Sequence, residues 1–334
     1  MQAGKLPLEL LSRLLGKIDI KDPRVILGPK AGEDAALIDF GDKYLVAKTD
    51  PITFATDLIG WYVVQVNAND LAVMGATPKW LMVTLLLPEG TLPEMVHDIF
   101  DQLLDACNAM NIALVGGHTE VTYDVPRPIA VGAMLGEVDK EKVVLTSGAR
   151  PGDSIVLTQG IAIEGTSLLA REVPDELRER GVSDDSIERA RGYLFTPGIS
   201  VVKAASIACA ATQIHSMHDP TEGGLATGLL EIAVGADVGL MIDMERIPIL
   251  PECRKICDAL GLDPFGLIGS GALLATLPQT EALRLVDALA SEGIPAYEIG
   301  QITPREEGLK LRTAKGVVGL PTFERDELAR YFGH

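Results

Sequence analysis

The stretch from Ile59 to Met74 constrains this chain more than any other, because it reads as one long helix with little room for a polar face. Trp61-Tyr62-Val63-Val64-Gln65-Val66 runs into Asn67-Ala68-Asn69-Asp70-Leu71-Ala72-Val73-Met74, and Gly75 and Pro78 close it. A helix this apolar has to be buried on most sides. A carboxylate inside it is costly unless it is paired. Asn67 and Asp70 are three apart and share a face that Met74 continues. Such a polar stripe implies either a hydrogen-bond network or a metal.

Two more carboxylates sit in comparable places. Asp34 follows the loop Gly28-Pro29-Lys30-Ala31-Gly32-Glu33 and precedes an apolar strand. Asp50 ends the run Tyr44-Leu45-Val46-Ala47-Lys48-Thr49, where a strand is expected to deliver its last side chains to a loop. Three such positions suit Mg²⁺, which takes a few carboxylates together with phosphate and water oxygens. The loop before Asp34 is no Walker motif, since the Gly-Lys-Ser/Thr ending is absent. In Val115-Gly116-Gly117-His118-Thr119-Glu120 an apolar strand runs into two glycines, either a close backbone approach to a ligand or a tight turn with incidental polar neighbours. His215-Ser216-Met217-His218-Asp219-Pro220-Thr221-Glu222-Gly223-Gly224-Leu225 is the matching feature of the second half. Thr221 or Asp219 can cap a helix beginning near Gly224, and free amides at a helix start attract phosphate. Glu222 suits the helix dipole there but would repel a phosphate.

The chain's 334 residues suit two domains, and the turn cluster Ser147-Gly148-Ala149-Arg150-Pro151-Gly152-Asp153 places the boundary between 1–147 and 148–334. Strands are expected at Ala35–Asp39, Tyr44–Lys48, Trp80–Leu87 and Ile129–Leu135, with a short buried strand at Ile112–Val115 and helices at Pro7–Leu15 and Pro93–Met110. Beyond the boundary strands and helices alternate around a polar stretch through Asp184-Asp185. The fold class is therefore α/β, with an α+β first domain and a mixed α/β second domain. Apolar residues make up 47% and aromatic ones 4%, so the cores are built from Val, Leu, Ile and Ala.

A net charge of −18 argues against nucleic acid and anionic lipid as partners. Cys107, Cys209, Cys253 and Cys257 lack a second pair to complete a zinc site. Glu9 and Arg13 interrupt the apolar N-terminus, which is no signal peptide, and no run approaches the about 18 residues of a membrane span. These features place the chain in the cytoplasm.

Together the segments resemble one family, the aminoimidazole-ribonucleotide-synthetase-like superfamily. Gly32-Glu33-Asp34-Ala35-Ala36 is similar to its Gly-Asp-Asp-Ala-Ala loop, and Lys48-Thr49-Asp50 to its Thr-Thr-Asp strand end. Asn69-Asp70-Leu71-Ala72 through Gly75-Ala76-Thr77-Pro78 resembles its Asn-Asp-Leu-Ala…Gly-Ala-x-Pro helix, and Gly116-Gly117-His118-Thr119 its Gly-Gly segment. Ser147–Asp153 and Asp219–Ala226 look like the hydrogenase-maturation branch in particular. The match is ordered from about Pro7 to Gln301.

The resemblance implies a homodimer in which N-terminal strands of two subunits close a β-barrel, with an ATP site near the interface. It implies that Asp34, Asp50 and Asp70 hold Mg²⁺. Lys48 and Thr49 would lie near phosphate, and Asn67, Gly116, Gly117 and Thr119 would line the nucleotide pocket. Asp219, Thr221, Gly223 and Gly224 would contribute from the second domain, with His118 and Glu120 as proton-transfer candidates. Members phosphorylate an oxygen or related nucleophile with ATP, and in several the phosphorylated amide oxygen then leaves as phosphate. The alternatives are a small-molecule kinase resembling thiamine-monophosphate kinase and a nucleotide-binding assembly partner without turnover. The hydrogenase-maturation branch ends in a cysteine, whereas this sequence ends Arg330-Tyr331-Phe332-Gly333-His334, so a separate substrate is expected. Glu222 stands where that branch has Arg, and the cysteine near the N-terminal loop of selenophosphate synthetases has no counterpart.

Overall fold

The computed structural model describes Leu6 and the chain from Leu8 to Gly333 apart from Ala31 and Thr56. Pro7, Ala31 and His334, which the sequence reading touches, lie outside the described residues. The chain forms two compact units, one of residues 34–143 with 20–28 and the other of residues from 144 onward with 29–33 and the described part of 6–19.

Helix α1 (Leu8–Leu15) belongs to the second unit. The first unit runs β1 (Val25–Leu27), β2 (Ala36–Phe40), β3 (Lys43–Ile52), α2 (Ile59–Ala72), β4 (Thr77–Pro88), α3 (Pro93–Ala109), β5 (Ala113–Thr122) and β6 (Ile129–Asp139). Its strands make one sheet in the order β1-β2-β3-β6-β4-β5. β6 is antiparallel to β3 from Lys43↔Asp139 to Ile52↔Ala130, and antiparallel to β4 on its other side.

Along β6 every second residue is buried, and two of those positions are glycines, Gly132 and Gly136. Here α2 comes close. A Cβ on Gly132 would stand 2.4 Å from Asn67 Nδ2, and one on Gly136 2.7 Å from Leu71 Cδ2. Glycine in the strand thus lets a helix approach that a side chain would hold off. Except for Trp61, α2 is buried from Ile59 to Ala72, as its sequence requires.

Two expectations need correction. Asp50 does not end its strand, because β3 continues to Ile52. The expected short buried strand at Ile112–Val115 is instead β5, ten residues long, with Gly116 and Gly117 inside it and only Leu114 and Thr122 half-buried. β5 pairs with β4 alone, which makes it the edge of the sheet, and its side chains are mostly exposed.

The second unit contains β7 (Asp153–Thr158), α4 (Ile163–Glu172), α5 (Pro174–Glu179), α6 (Asp184–Gly192), α7 (Val202–Ala211), β8 (Ser216–His218), α8 (Gly224–Ala236) and β9 (Gly239–Asp243). It continues through α9 (Pro251–Leu260), β10 (Leu274–Pro278), α10 (Ala282–Ser291), β11 (Ala296–Thr303), β12 (Leu309–Thr313), β13 (Gly316–Gly319) and α11 (Glu327–Phe332). The sheet order is β13-β12-β9-β11-β7-β10-β8, with β12 and β9 its parallel pair. Ile155, Leu157, Leu240, Ile242 and Ile299 form its core with Leu229 of α8.

The polar stretch through Asp184-Asp185 is the start of a helix. Ser183 caps it by accepting the Ser186 N–H, and Arg189 pairs with Asp185 one turn on. Apolar residues are dense enough across Asp184–Ala211 to meet the composition of a membrane span. The backbone breaks within it at Thr196 (φ −142°, ψ 107°), so α6 and α7 are separate helices.

Candidate active site

Lys48 is the centre of the charged group in the first unit. Its Nζ lies 3.3 Å from an oxygen of Asp70 and 3.8 Å from one of Asp50. β3 delivers Lys48 and Asp50, while α2 delivers Asp70 from the face that packs on the sheet. Asp34, just before β2, acts on both Lys48 and Asp70 through its charge. Burial works against the Lys48 charge, but Asp70, Asp50 and Asp34 together outweigh it and raise its pKa. Burial also pushes the Asp70 carboxyl up to about 7, with Lys48 pulling the other way and Asp50 and Asp34 adding to the rise. Three carboxylates against one lysine leave an excess of negative charge.

The donor set fits a divalent cation. Asp70 Oδ2 is buried and has no hydrogen-bond partner, since its contact with Lys48 is an ion pair without hydrogen-bond geometry. A hard cation held by carboxylate oxygens would satisfy it.

Asn67 is fully buried on the same face of α2, and its position is fixed by backbone. Its Oδ1 accepts the Asp50 N–H at 2.9 Å, and its Nδ2 donates to the carbonyls of Asp50 at 3.2 Å and Val63 at 2.8 Å. Both amide hydrogens are therefore used inside the fold. Asn67, which the resemblance places in the nucleotide pocket, holds the Asp50 backbone. Thr49 donates its hydroxyl to the Gly132 carbonyl at 2.7 Å.

The glycine segment lies elsewhere on the same sheet. Thr49, Ala133, Met82 and Gly116 are successive partners across four strands, and Pro51, Val131, Thr84 and His118 form another such row. Three strand spacings, roughly 14 Å, separate β5 from β3 along these rows. Within one chain His118 and Glu120 are thus not brought to Lys48, and they face each other, Nε2 to Oε2 3.0 Å. Gly116, Gly117 and Thr119 form one rim of a cavity of about 440 Å³ whose apolar wall includes Val83, Leu85, Phe100 and Leu103.

In the second unit, Asp219 is buried and Thr221 half-buried beside the start of α8. Three of the helix-start amides expected to be free for phosphate are engaged. Gly223 donates to an Asp326 oxygen at 2.6 Å, Gly224 to the Thr221 carbonyl at 3.0 Å and Ala226 to the Phe265 carbonyl at 3.0 Å. The phosphate expectation at Gly223 and Gly224 is corrected accordingly, because both amides already have acceptors.

Two carboxylates that sequence reading missed stand near this loop. Burial pushes Glu164 up to about 7, a hydrogen bond from Ser270 resists, and Asp326 and Glu222 add to the rise. Its Oε2 is buried without a hydrogen-bond partner. Burial likewise raises Asp326 to about 6, held down by the Gly223 and Leu328 amides and pushed up by Glu222. Glu33, at the first acidic position of the loop before Asp34, accepts the amides of Thr146 and Ser147 at 3.2 and 3.3 Å. Nothing local marks Glu164 or Asp326, which stand 162 positions apart in the sequence.

This two-unit α/β architecture is that of the AIR synthase-like proteins. Residues 32–138 match the family model of the AIR synthase related protein N-terminal domain, and residues 150–311 that of its C-terminal domain. The chain is 31% identical over 331 residues to a Methanocaldococcus jannaschii protein provisionally named for hydrogenase expression and formation, covering 95% of this chain and 94% of that one. It is 31% identical to the carbamoyl dehydratase HypE of Rhodobacter capsulatus (82% and 78% covered) and 28% identical to the selenide, water dikinase of Geobacter metallireducens (90% and 92%). It belongs to the AIR synthase-related family. Its fold is similar to crystal structures of Escherichia coli HypE (TM-score 0.75, 22% identity, 97% and 99% covered) and of HypE in complex with ATP (0.68, 22%, 94% and 91%). AaThiL complexed with AMPPCP and TMP is a third such structure (0.70, 21%, 91% and 91%).

Proposed function

We propose that the chain is an ATP- and Mg²⁺-dependent enzyme that phosphorylates a carbonyl or amide oxygen. The observation that carries this reading is the group of Asp70, Asp50 and Asp34 around Lys48, with the buried Asp70 Oδ2 facing only the Lys48 ammonium. The relative named carbamoyl dehydratase supports the amide substrate, and the selenide, water dikinase and the HypE structure with ATP support the use of ATP. The three aspartates would hold magnesium, which neutralises charge on the transferring phosphates. Lys48, released from Asp70, would turn to a phosphate oxygen, and Asn67 keeps the Asp50 backbone in place for this.

In the transfer, the substrate oxygen bonds to the γ-phosphorus as the bond to the bridging oxygen breaks and ADP leaves with the electron pair. With a primary amide as substrate, the carbon–oxygen bond then breaks, phosphate leaves and two N–H protons are lost in all, giving a nitrile. His118 and Glu120 are the groups we assign to take such protons. Residues 1–147 form the nucleotide domain in this reading and 148–334 a second, α/β domain.

β5 supports a homodimer. Val115 and Val121 are more than half exposed on an edge strand paired on one side only, and long apolar edges are normally covered. A second copy pairing along β5 would cover this edge and supply His118 and Glu120 from outside the single chain. Light scattering of the parent and of Val121→Lys tests this; a monomeric parent at micromolar concentration excludes it. The four thiols are unpaired, which suits the cytoplasm.

The likeness to AaThiL keeps a small-molecule kinase in view. Calorimetric titration of ATP with and without Mg²⁺, followed by phosphorus NMR of turnover with candidate amides, separates the readings. Inorganic phosphate with a dehydrated product selects the first, a stable phosphate ester selects the kinase, and ATP binding without turnover selects a non-catalytic assembly role. Absence of Mg²⁺-dependent ATP binding overturns all three.

A further inference from the structure

The segment from Phe323 to Gly333 lies beyond the residues matched by the family's C-terminal model, yet it is built into the second unit. Asp326 is 5% exposed. Its Oδ1 accepts the Leu328 N–H at 2.7 Å and so caps α11. Its Oδ2 accepts the Gly223 N–H at 2.6 Å, at the short end for such a bond. The neighbouring residues fasten the same segment to the loop 263–269. Glu327 donates its N–H to the Gly266 carbonyl at 3.0 Å and accepts the Asp263 N–H at 2.9 Å. The Phe323 ring covers Gly266 so closely that a Cβ there would stand 2.4 Å from it.

The loop 263–269 holds the glycine loop in turn. Ala226 donates to the Phe265 carbonyl and Gly269 to the Thr221 carbonyl. Gly224, at φ +61°, has its Cα against the carbonyls of Phe265 and Leu267, where no side chain fits. Asp326 therefore places a carboxylate at the N-terminal end of α8, a 13-residue helix whose positive end favours an anion. No external group is needed to satisfy the Gly223 amide.

We propose that Asp326 is a positioning residue that acts as a resident anion, fixing the loop Asp219–Gly224 in the shape that a ligand's phosphate or carboxylate would otherwise impose. The second substrate then meets this loop through a neutral or cationic group. The statement about substrate rests on the function proposed above; the statement about the loop does not.

Chemical rescue tests it. Asp326→Ser keeps an α11 cap, since serine serves well at that position, but is too short to reach Gly223. The full chain is melted, parent and variant, with and without formate and inorganic phosphate, and exchange of the Gly223 amide is followed by NMR. In Asp326→Ser, Gly223 exchange should quicken about tenfold and the melting temperature should fall. Formate or phosphate should restore both at concentrations that leave the parent unchanged. Asp326→Glu, with its charge kept, should show less of either effect. The proposal is overturned if Asp326→Ser behaves like the parent, if its loss is indifferent to anions, or if formate slows Gly223 exchange in the parent equally. Should Asp326→Ser not fold, Asp326→Asn is read in the same way. ATP titration of the parent runs alongside, so that failure of the function and failure of the resident anion are told apart.

Discussion

Both units bury carboxylates against their ordinary cost, but they offset that cost differently. In the first unit Lys48 stands between Asp70 and Asp50, and all of these side chains come from β3 and the helix packed on it. In the second, neither Glu164 nor Asp326 forms an ion pair among the described residues; Asp326 is held by main-chain amides and Glu164 by Ser270. A lysine can turn from a carboxylate to a phosphate when ligands arrive, whereas amide anchors have no second partner to turn to. The first arrangement is suited to exchanging ligands and the second to holding a loop.

The strongest way to break this contrast is Asp70→Asn. It keeps the side chain's shape and removes one of the charges facing the cation. Turnover should fall by about a hundredfold or more, as expected when charge stabilisation worth several kcal/mol is lost. Metal-dependent ATP binding should weaken in parallel, while the ligand-free protein should melt no lower than the parent. A variant that melts lower and binds ATP-Mg²⁺ like the parent would make Asp70 a structural acceptor and remove it from the site.

Glu164→Gln should show its effect in stability alone. A carboxyl whose pKa rises from 4.5 to about 7 on folding stabilises fully below 4.5, and that contribution is lost as pH rises through 7. The displacement corresponds to roughly 3 kcal/mol at the alkaline end. Denaturant melts from pH 5 to 8 should therefore fall for the parent and run flatter for Glu164→Gln. ATP affinity should stay unchanged.

Magnesium sharpens the comparison further. Burial also raises the Asp70 carboxyl without metal, so its contribution is likewise lost as pH rises. A cation that binds the ionised form reverses that loss. Magnesium alone should raise the melting temperature more at pH 8 than at pH 6, and Asp70→Asn should abolish the difference. Glu164→Gln should retain it. An equal magnesium response at both pH values would place the cation away from Asp70.

How much of this could be read beforehand differs between the two units for a physical reason. α2 was legible because an unbroken apolar run with two polar residues three apart admits few explanations. β3, β4 and β6 were legible from their apolar lengths. β5 misled because its exposed Val115 and Val121 look like core residues and its two glycines look like a turn, though Gly117 serves to bring β5 against Val83. The partners of Asn67 could not be read, since only the strand beside it shows that backbone takes both its amide hydrogens. Asp326 and Glu164 were invisible, because their surroundings are assembled from loops far apart in sequence.

The smallest effects are expected from the cysteines, which occur in both units. Cys107 lies on α3, and burial pushes its thiol, like that of Cys209, up to about 11. Such thiols stay protonated at neutral pH and make poor nucleophiles or metal ligands. Cys253 and Cys257 are one turn apart on α9 and almost fully buried. Replacing a buried cysteine by alanine removes one atom from the packing and should cost about 1 kcal/mol. The cost should be greater for Cys253 and Cys257 than for the half-buried Cys209. None of the four belongs to the Lys48 group or the Gly223 loop, so ATP affinity of the four-alanine protein should stay within a few fold of the parent's. Melts of the four single variants, beside ATP titration and turnover of the combined one, measure both quantities. A folded cysteine-free protein that binds ATP but no longer turns it over would show that a thiol takes part in the chemistry, and the assignment of that chemistry to carboxylates, Lys48 and the His118–Glu120 pair would have to be redrawn.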